Sequence, residues 1–389
     1  MLLAVCAGLS VANLYYVQPL LDAIKRSLHI GTATAGLVVS VTQIGYIAGL
    51  VLLVPLGDLF ARRALIPLMA VGIALCLALV SEAPSANLLL IACAGVGALS
   101  VAAQVAVAFT ATLASDAERG RVVGTVMSGL LLGVLLARTA SGYLADLGGW
   151  RTPFRAGAVA MAVLAVILWR NLPHDTDRSS VPYLRLIGSV PVILKEEPVI
   201  LLRSLYGAAG FGAFNSFWTP LAFLLSGAPY HYSTSTIGLF GLFGVAGAIS
   251  ASFAGRWSDR GGAPAMTVIS VGLLLVTWAA IGLGRHSLAA LIVGVVVLDF
   301  AAQGLQITNQ SVIYRLRPEA RSRITAAYMS LYFVGGVIGS VASSAAYSAG
   351  GWVASSAVGA GFGLFAVLLW LASLARSGRR AGARQPIGG

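Results

Sequence analysis

Charged residues are scarce in this sequence. They make up 10% of its 389 residues, and hydrophobic residues make up 58%, whereas soluble domains carry about 25% and 45–50% respectively. A soluble fold of this composition would expose most of its apolar surface to water. The composition therefore excludes an ordinary soluble protein. It predicts an all-α polytopic membrane protein, since lipid offers backbone groups no hydrogen-bond partner.

Residue types that serve in catalysis, metal binding and nucleotide binding are also few. The three cysteines, Cys6, Cys76 and Cys93, lie in apolar runs without metal-ligand spacing, and we interpret them as packing residues. The four histidines are scattered in predicted loops, and the motifs His-Glu-x-x-His and Gly-x-Ser-x-Gly are missing. The sequence has two lysines and no Gly-x-x-x-x-Gly-Lys motif, so we predict that ATP is not the energy source of this protein. We predict no enzyme, no metal and no cofactor.

Twelve apolar runs are long enough, or nearly so, to cross a bilayer core, which takes about 20 helical residues. The first run lacks a basic leading segment and more runs follow it, so we expect a retained helix rather than a signal peptide. The predicted spans are 1–21, 33–56, 64–80, 87–114, 122–143, 152–169, 199–225, 237–254, 265–283, 288–314, 324–347 and 353–375.

Arginine and lysine are distributed unevenly between the two sides of these spans. The loops on one side carry 18 of them and those on the other side carry 5. Positive charge accumulates on the cytoplasmic side, so both termini are predicted to be cytoplasmic. The net charge of +12 is explained by this topology rather than by nucleic acid. We expect a monomer in a bacterial inner membrane, surrounded by the lipid bilayer.

Three loops recur in the second half of the chain. The matching pairs are Asp58 with Asp259, Glu118 with Glu319, and Gly148-Gly149-Trp150 with Gly350-Gly351-Trp352. The first two pairs are separated by 201 residues and the third by 202. We predict two pseudo-symmetric six-helix bundles, 1–169 and 199–375, with a cytoplasmic linker, 170–198, and a basic cytoplasmic tail, 376–389. A parallel repeat with a midplane cavity is the architecture of one large transporter class.

The repeated loop carries a family resemblance. Residues 55–63 read Pro-Leu-Gly-Asp-Leu-Phe-Ala-Arg-Arg and residues 255–262 read Gly-Arg-Trp-Ser-Asp-Arg-Gly-Gly. Both resemble Gly-x-x-x-Asp-Arg-x-Gly-Arg-Arg, the loop signature of the major facilitator superfamily, and the resemblance covers the whole chain. It implies twelve helices in two bundles and a transporter that works by alternating access.

The resemblance also implies gating roles for five loop residues: Asp58, Arg62, Arg63, Asp259 and Arg260. It implies that Asp58 lies near the amino end of the eleventh span, just after Arg323, in one transport state. A carboxylate is stabilised there by the partial positive charge of the helix end. The alternative for Asp58 is a solvated aspartate in a turn.

Two further segments indicate the direction of transport. Residues 12–20 are similar to the first span of bacterial drug and sugar exporters. The fifth span is similar to the antiporter pattern Gly-x8-Gly-x3-Gly-Pro-x2-Gly-Gly, with Arg138 where that pattern has proline. The resemblance implies proton-coupled efflux of a small organic molecule. The alternative is an uptake symporter or facilitator for an organic anion, in which Arg138 reads the substrate charge.

Asp299 is the acid placed deepest in a predicted span. It lies eleven residues into 288–314, about 16 Å from the end at ~1.5 Å per residue and close to the membrane midplane. An ionisable side chain at that depth is costly and suggests a functional site. We hypothesise that Asp299 couples transport to protons. Asp22 is the second candidate, with a surface ion pair to Lys25 or Arg26 as the alternative.

A polar stripe accompanies Asp299. Gln303, Gln306 and Gln310 follow it at spacings of 4, 3 and 4 residues, so all four side chains share one helical face. Such a face must meet protein or water rather than lipid. The resemblance places this span beside the central cavity, and a hydrogen-bonded packing seam is the alternative.

The other polar residues on predicted cavity helices are Asn13, Tyr16, Gln104, Tyr206 and Asn215. For each of them a helix–helix hydrogen bond is the alternative to a substrate contact. Arg138 lies in the outer part of the fifth span and needs an anion, since arginine stays charged. Either Asp22 or an anionic substrate group could supply it. Arg203 lies nearer the cytoplasmic end of its span and is predicted to snorkel.

Overall fold

The structure, a computed structural model, describes residues 1–114, 118–173, 183–316 and 321–382. In these ranges every regular element is a helix, as predicted. The helices of the first half are α1 (Leu2–Ala12), α2 (Leu21–Leu28), α3 (Thr32–Leu52), α4 (Leu56–Leu59), α5 (Arg62–Glu82), α6 (Ala86–Leu99), α7 (Ala102–Leu113), α8 (Arg119–Gly148) and α9 (Thr152–Asn171).

The second half begins after a helix in the predicted linker, α10 (Tyr183–Glu196). It contains α11 (Pro198–Trp218), α12 (Leu221–Ser226), α13 (Thr234–Leu239), α14 (Val245–Trp257), α15 (Ala263–Leu283), α16 (Leu288–Ile313) and α17 (Arg321–Gly382). The longest of these, α17, is broken at Gly350 and Gly351, whose backbone angles are not helical.

The predicted repeat of Gly-Gly-Trp is also a repeat of backbone conformation. Gly149 has φ of 82° and Gly351 has φ of 65°, a region that a residue with a Cβ rarely adopts. In both copies the following tryptophan, Trp150 or Trp352, is buried. The same turn therefore connects consecutive helices at equivalent places in the two halves.

Nine helices among the described residues are long and apolar enough to cross a membrane. One of them, Arg323–Ala375, is the 53-residue stretch that contains the break at Gly350 and Gly351. The number of twelve spans stays a prediction. Large apolar side chains such as Leu68, Ile91 and Val276 are exposed on the helix surfaces, where lipid would cover them.

Four predicted spans, 1–21, 87–114, 199–225 and 237–254, are not single continuous α-helices. The interruptions of 1–21 and 199–225 lie at corresponding places in the two halves. The first helix stops at Ala12 and resumes at Leu21, and the second stops at Trp218 and resumes at Leu221. Pro19 and Pro220, 201 residues apart, follow the points where the helices stop. Proline has no backbone N–H to donate and interrupts a helix, so both halves carry an equivalent break.

The two halves pack against each other through α3 with α17 and through α8 with α13. The hydrogen bonds of this contact come from the parts of these helices that lie away from the arginine-rich loops, which we call the outer side. Thr139 of α8 donates to the carbonyl oxygen of Gly238 (3.0 Å), and Ser340 of α17 donates to that of Gly36 (3.4 Å). The outer side is therefore closed.

Candidate functional site

Asp299 lies at the contact of the two halves. It belongs to α16, and only 2% of its surface is exposed. The indole Nε1 of Trp218 in α11 donates to its Oδ1 at 3.2 Å. Its Oδ2 faces Gly244, where a Cβ atom would lie 3.5 Å away. The carboxyl group is thus held in an apolar interior by the indole N–H of Trp218, which satisfies only part of its hydrogen-bonding capacity.

Arg138 brings a cation to the same place from the other half. Its side chain, in α8, is 3% exposed, and its Nε donates to Oε1 of Gln18 at 2.6 Å. The guanidinium carbon lies 4.1 Å from the ring centroid of Trp218 and 4.7 Å from that of Tyr15. Stacking on aromatic faces stabilises a buried guanidinium. Its second terminal nitrogen, Nη2, has no hydrogen-bond partner.

Arg138 does not form the predicted ion pair with Asp22. The carboxylate of Asp22 is bonded to Arg26, one turn further along α2, so the predicted alternative of a local ion pair is confirmed. Lys25 instead lies 5.7 Å from the ring centroid of Phe223. Arg138 and Asp299 do not pair directly either, and Trp218 contacts both of them.

The break in each half explains this arrangement. Gln18 precedes Pro19, and Trp218 lies two residues before Pro220. Trp218 is the last residue of α11, whereas Gln18 begins a short 3-10 helix, Gln18–Leu20, that follows the end of α1 at Ala12. Side chains that a straight helix would direct elsewhere therefore meet between the halves. The ring centroid of Phe214 also lies 5.6 Å from the guanidinium carbon of Arg138. Sequence reasoning missed Gln18, Trp218 and Phe214, and the repeated proline was the signal that could have indicated them.

The polar stripe of α16 faces protein, as predicted. Gln303 packs against Gly247, where a Cβ atom would lie 2.8 Å from its Cγ. Gln306 accepts a hydrogen bond from the hydroxyl of Tyr332 at 3.1 Å. Nε2 of Gln310 lies 4.0 Å from Sδ of Met329. The stripe therefore connects α16 to α17 and to α14, and its role in transport stays a prediction.

Of the remaining polar candidates, Gln104 and Asn215 lie close to the contact of the halves. Nε2 of Gln104 donates to the hydroxyl of Tyr46 (3.2 Å), whose ring packs on Phe333 of the other half at 4.5 Å. Asn215 accepts a hydrogen bond from Gln43 of the other half at 2.7 Å. Both side chains are thus helix–helix hydrogen-bonding groups in this state.

Three candidates are not brought to Asp299. Asn13 and Tyr16 lie beside Gly157 of α9, within the first half. Tyr206 lies near Arg203, whose guanidinium carbon is 5.9 Å from its ring centroid. We therefore leave these three out of the site.

The snorkelling of Arg203 stays a prediction, and the structure shows two hydrogen-bond partners for its guanidinium group. Its Nη1 donates to Oγ1 of Thr267 at 2.8 Å and to Oδ1 of Asn309 at 3.4 Å. These acceptors lie on α15 and α16, so the guanidinium is held inside the second half. Hydrogen bonds to neighbouring helices offer a buried guanidinium an alternative to reaching the membrane surface.

The predicted gating loops are described in part. Arg62 is buried and its Nη1 donates to Oγ1 of Thr112 in α7 at 3.3 Å, while Arg63 is partly buried and Arg260 is exposed. The side chains of Asp58 and Asp259, and residue Glu319, lie outside the described part of the chain. The expected position of Asp58 at the start of the eleventh span is therefore untested.

Two helical halves that meet around a buried acid and a buried cation define a membrane transport protein. The chain belongs to the Major Facilitator Superfamily, whose model matches residues 3–274 and 208–388. The family resemblance of the two loops is thereby confirmed, and the protein is a transporter rather than an enzyme.

Relatives and solved structures agree with this family. The chain is 46% identical over 369 residues to YgaY of Escherichia coli strain K12, which is named as a putative uncharacterized transporter, covering 95% of this chain and 94% of that protein. It is 29% identical to the chloramphenicol resistance protein of Streptomyces lividans, over 79% of each. A bacterial homologue of the human lysosomal transporter Spinster, in an inward-facing and occupied conformation, superposes with a TM-score of 0.78 at 16% identity, covering 96% of this chain and 95% of that one.

Proposed function

We propose that the protein exports a small organic molecule across the bacterial inner membrane in exchange for protons, by alternating access. The observation that carries this proposal is the carboxyl group of Asp299, buried between the halves with an arginine of the opposite half nearby. A carboxylate is expensive to keep ionised inside a membrane. Binding a proton removes that cost, so Asp299 can alternate between two charge states.

The closed outer side supports a state that opens to the cytoplasm. The hydrogen bonds between the halves lie on the outer side of α3, α8, α13 and α17. The similar Spinster homologue was captured inward-facing. In the proposed cycle the cytoplasmic loops with Asp58, Arg62, Arg63, Asp259 and Arg260 close when the outer side opens.

Export is the direction favoured by two observations. Residues 12–20 are similar to the first span of drug and sugar exporters. The Streptomyces lividans relative is named for chloramphenicol resistance. In this proposal Gln303, Gln306 and Gln310 line the substrate path along α16, with Gln104 and Asn215 at its walls. Asp22 has no coupling role, because its carboxylate is paired with Arg26.

The test is transport by purified protein in liposomes with an imposed pH gradient. Chloramphenicol, ethidium and isopropyl thiogalactoside are offered as probes, and the luminal pH is followed with an enclosed dye. We expect Asp299→Asn to stop proton movement and gradient-driven accumulation, while exchange of the probe down its own gradient continues. Glu82→Gln, at an exposed acid, is the matched control. Proton coupling that persists in Asp299→Asn would refute the proposal.

A second candidate function is uptake of an organic anion. It is favoured by Nη2 of Arg138, a buried cationic donor without a partner. Benzoate and benzamide differ in charge and little in shape, so their relative transport reports the contribution of Arg138. We expect Arg138→Gln to abolish a preference for benzoate and Arg138→Lys to retain part of it. Equal transport of both probes by the unchanged protein would rule this function out, and a protonophore distinguishes symport from facilitated diffusion.

A further inference from the structure

Trp218 contacts both buried charges at the meeting of the halves. Its Nε1 donates to Oδ1 of Asp299 at 3.2 Å, and its ring lies 4.1 Å from the guanidinium carbon of Arg138. Trp218 and Asp299 belong to the second half, whereas Arg138 belongs to the first. The indole therefore lies between an acid of one half and a cation of the other.

We propose that Trp218 is the positioning residue through which the charge of Asp299 controls the contact between the two halves. This inference rests on the proposed proton binding at Asp299. It extends that function by naming the side chain that transmits the proton's effect to the conformational change.

The indole ring is held firmly in place. Trp218 is the last residue of α11, is 2% exposed, and packs edge-on against Phe217 with ring centroids 5.3 Å apart. Phe214 lies 5.9 Å away on the preceding turn. The next residue, Thr219, is anchored to Ser340 of α17 by a hydrogen bond of 3.2 Å. Packing on all these sides keeps the N–H directed at Asp299.

When Asp299 is ionised, its interactions hold the halves together. The N–H bond from Trp218, which lies within the second half, is then charge-assisted and keeps the indole ring fixed beside Arg138 of the first half. The carboxylate also attracts Arg138 across the edge of the indole, and this attraction is strong where water is excluded. Arg138 already packs beside Gly241 of the second half. The outer side consequently remains closed.

When Asp299 binds a proton, this attraction disappears. Arg138 keeps its bond to Gln18 and its stacking on Tyr15, and both partners belong to its own half. The first half can then move away from Trp218 at lower cost. A carrier with an empty site and an ionised Asp299 would stay closed outside until substrate or proton weakened the contact. In an exchanger, this requirement prevents the empty carrier from changing conformation before it has bound either substrate or a proton.

Other groups near Asp299 do not compete for this role. Arg138 faces it from α8, Tyr15 from the segment after α1, and Tyr332 from α17. Phenols stay protonated and arginine stays charged between about pH 5 and 8. Histidine side chains also titrate in this range, and His29, His231 and His286 lie in the outer loops, so the response of the outer contact is assigned to Asp299 by its loss in Asp299→Asn.

The experiment measures the distance across the outer side as a function of pH. Full-length protein without its three cysteines carries spin labels at Leu147→Cys and Arg285→Cys, two exposed outer positions. Electron spin resonance in lipid nanodiscs gives the fraction of closed outer side between pH 5 and 8. We expect this fraction to rise with pH. Trp218→Phe keeps a ring beneath Arg138 but lacks the N–H, so the midpoint should move up by about one pH unit, a tenfold change in the equilibrium.

Trp278→Phe is the matched control. Trp278 is a buried tryptophan of α15 whose Nε1 has no partner, so its replacement should leave the midpoint unchanged. Arg138→Gln should make the distance across the outer side insensitive to pH. If Trp218→Phe does not fold, Arg138→Gln is the variant that tests whether the charge of Asp299 controls the contact between the halves. An unchanged midpoint in Trp218→Phe, or a persisting pH response in Arg138→Gln, overturns the role of Trp218. A persisting response in Asp299→Asn overturns the proposed function itself.

Discussion

Gln43 of α3 and Asn215 of α11 form a hydrogen bond that joins the two halves. Nε2 of Gln43 donates to Oδ1 of Asn215 at 2.7 Å, and both residues are buried. The residues are 172 positions apart in the chain. Gln43 lies near the middle of α3, and its bond to Asn215 adds to the contacts that must break when the halves separate on the outer side.

Loss of this bond should favour the open outer side. Gln43→Leu leaves Oδ1 of Asn215 without its donor, and an unsatisfied buried acceptor costs about 1–3 kcal/mol. We expect the fraction of closed outer side, measured with the same spin labels, to fall accordingly. The double variant Gln43→Leu with Asn215→Leu should recover part of the loss, because neither buried group is then unpaired. This prediction would be contradicted if the double variant lost more of the closed outer state than the two single variants lose together.

Gly36 permits close packing of α3 on α17. A Cβ atom at Gly36 would lie 2.0 Å from Oγ of Ser344 and 2.5 Å from its Cβ, which is closer than real atoms approach. We expect Gly36→Ala to hold the outer side open and to reduce transport at least tenfold. Ser344→Gly should restore closure, since it removes both clashing atoms.

The matched control for Gly36 is Gly272, in the middle of α15. Nothing lies within 4 Å of the position that its Cβ atom would occupy. Gly272→Ala should leave transport unchanged and raise stability by up to about 1 kcal/mol, because alanine favours a helix over glycine. If the outer side of Gly36→Ala closed normally, α3 and α17 would be able to accommodate the added methyl group without cost, and the prediction for Gly36 would be wrong.

Asp146 connects the end of α8 to the start of α13. It accepts hydrogen bonds from the hydroxyl of Thr234 and from the backbone N–H of Ser235, the latter at 3.1 Å. A capping bond of this kind is worth about 1 kcal/mol. Ser141 is buried and precedes Gly142, which packs against Thr234 of α13. Asp146→Ala should therefore make labelling of Ser141→Cys severalfold faster with a membrane-impermeant thiol reagent.

The control for Asp146 is Glu82, whose carboxylate is bonded to Arg155 of the same half. Its replacement by alanine removes an outer acid but breaks no bond between the halves. Labelling of Ser141→Cys in this variant should then be as fast as in the protein that retains both Asp146 and Glu82. Equal labelling in both variants would remove Asp146 from the outer contact.

Asp22 should be dispensable for proton coupling. It forms a local ion pair with Arg26, and pairs four residues apart on a helix contribute only about 0.3–0.5 kcal/mol. We expect Asp22→Asn to retain gradient-driven transport in the liposome assay, in contrast to Asp299→Asn. Loss of coupling in Asp22→Asn with normal folding would assign it the role that we give to Asp299.

The fate of the individual predictions shows where sequence reasoning succeeds. The repeated loops identified the family, and the spacing of Asp299, Gln303, Gln306 and Gln310 placed one face of α16 against protein, because helical periodicity is a local property. The partner of Arg138 could not be obtained this way. Charge suggested Asp22 as the partner of Arg138. In the structure Asp22 is paired with Arg26 of its own helix, and Arg138 stacks on aromatic rings.

Composition and hydropathy were sufficient to predict a helical membrane protein, because helix formation in lipid follows from local sequence. The repeated loops, through their family resemblance, were sufficient to predict a transporter. Tertiary structure alone decided which side chains meet at Asp299. The breaks before Pro19 and Pro220 redirect Gln18 and Trp218, and the packing of two halves determines which groups lie opposite each other. Such contacts join residues far apart in the chain, and no local pattern specifies them.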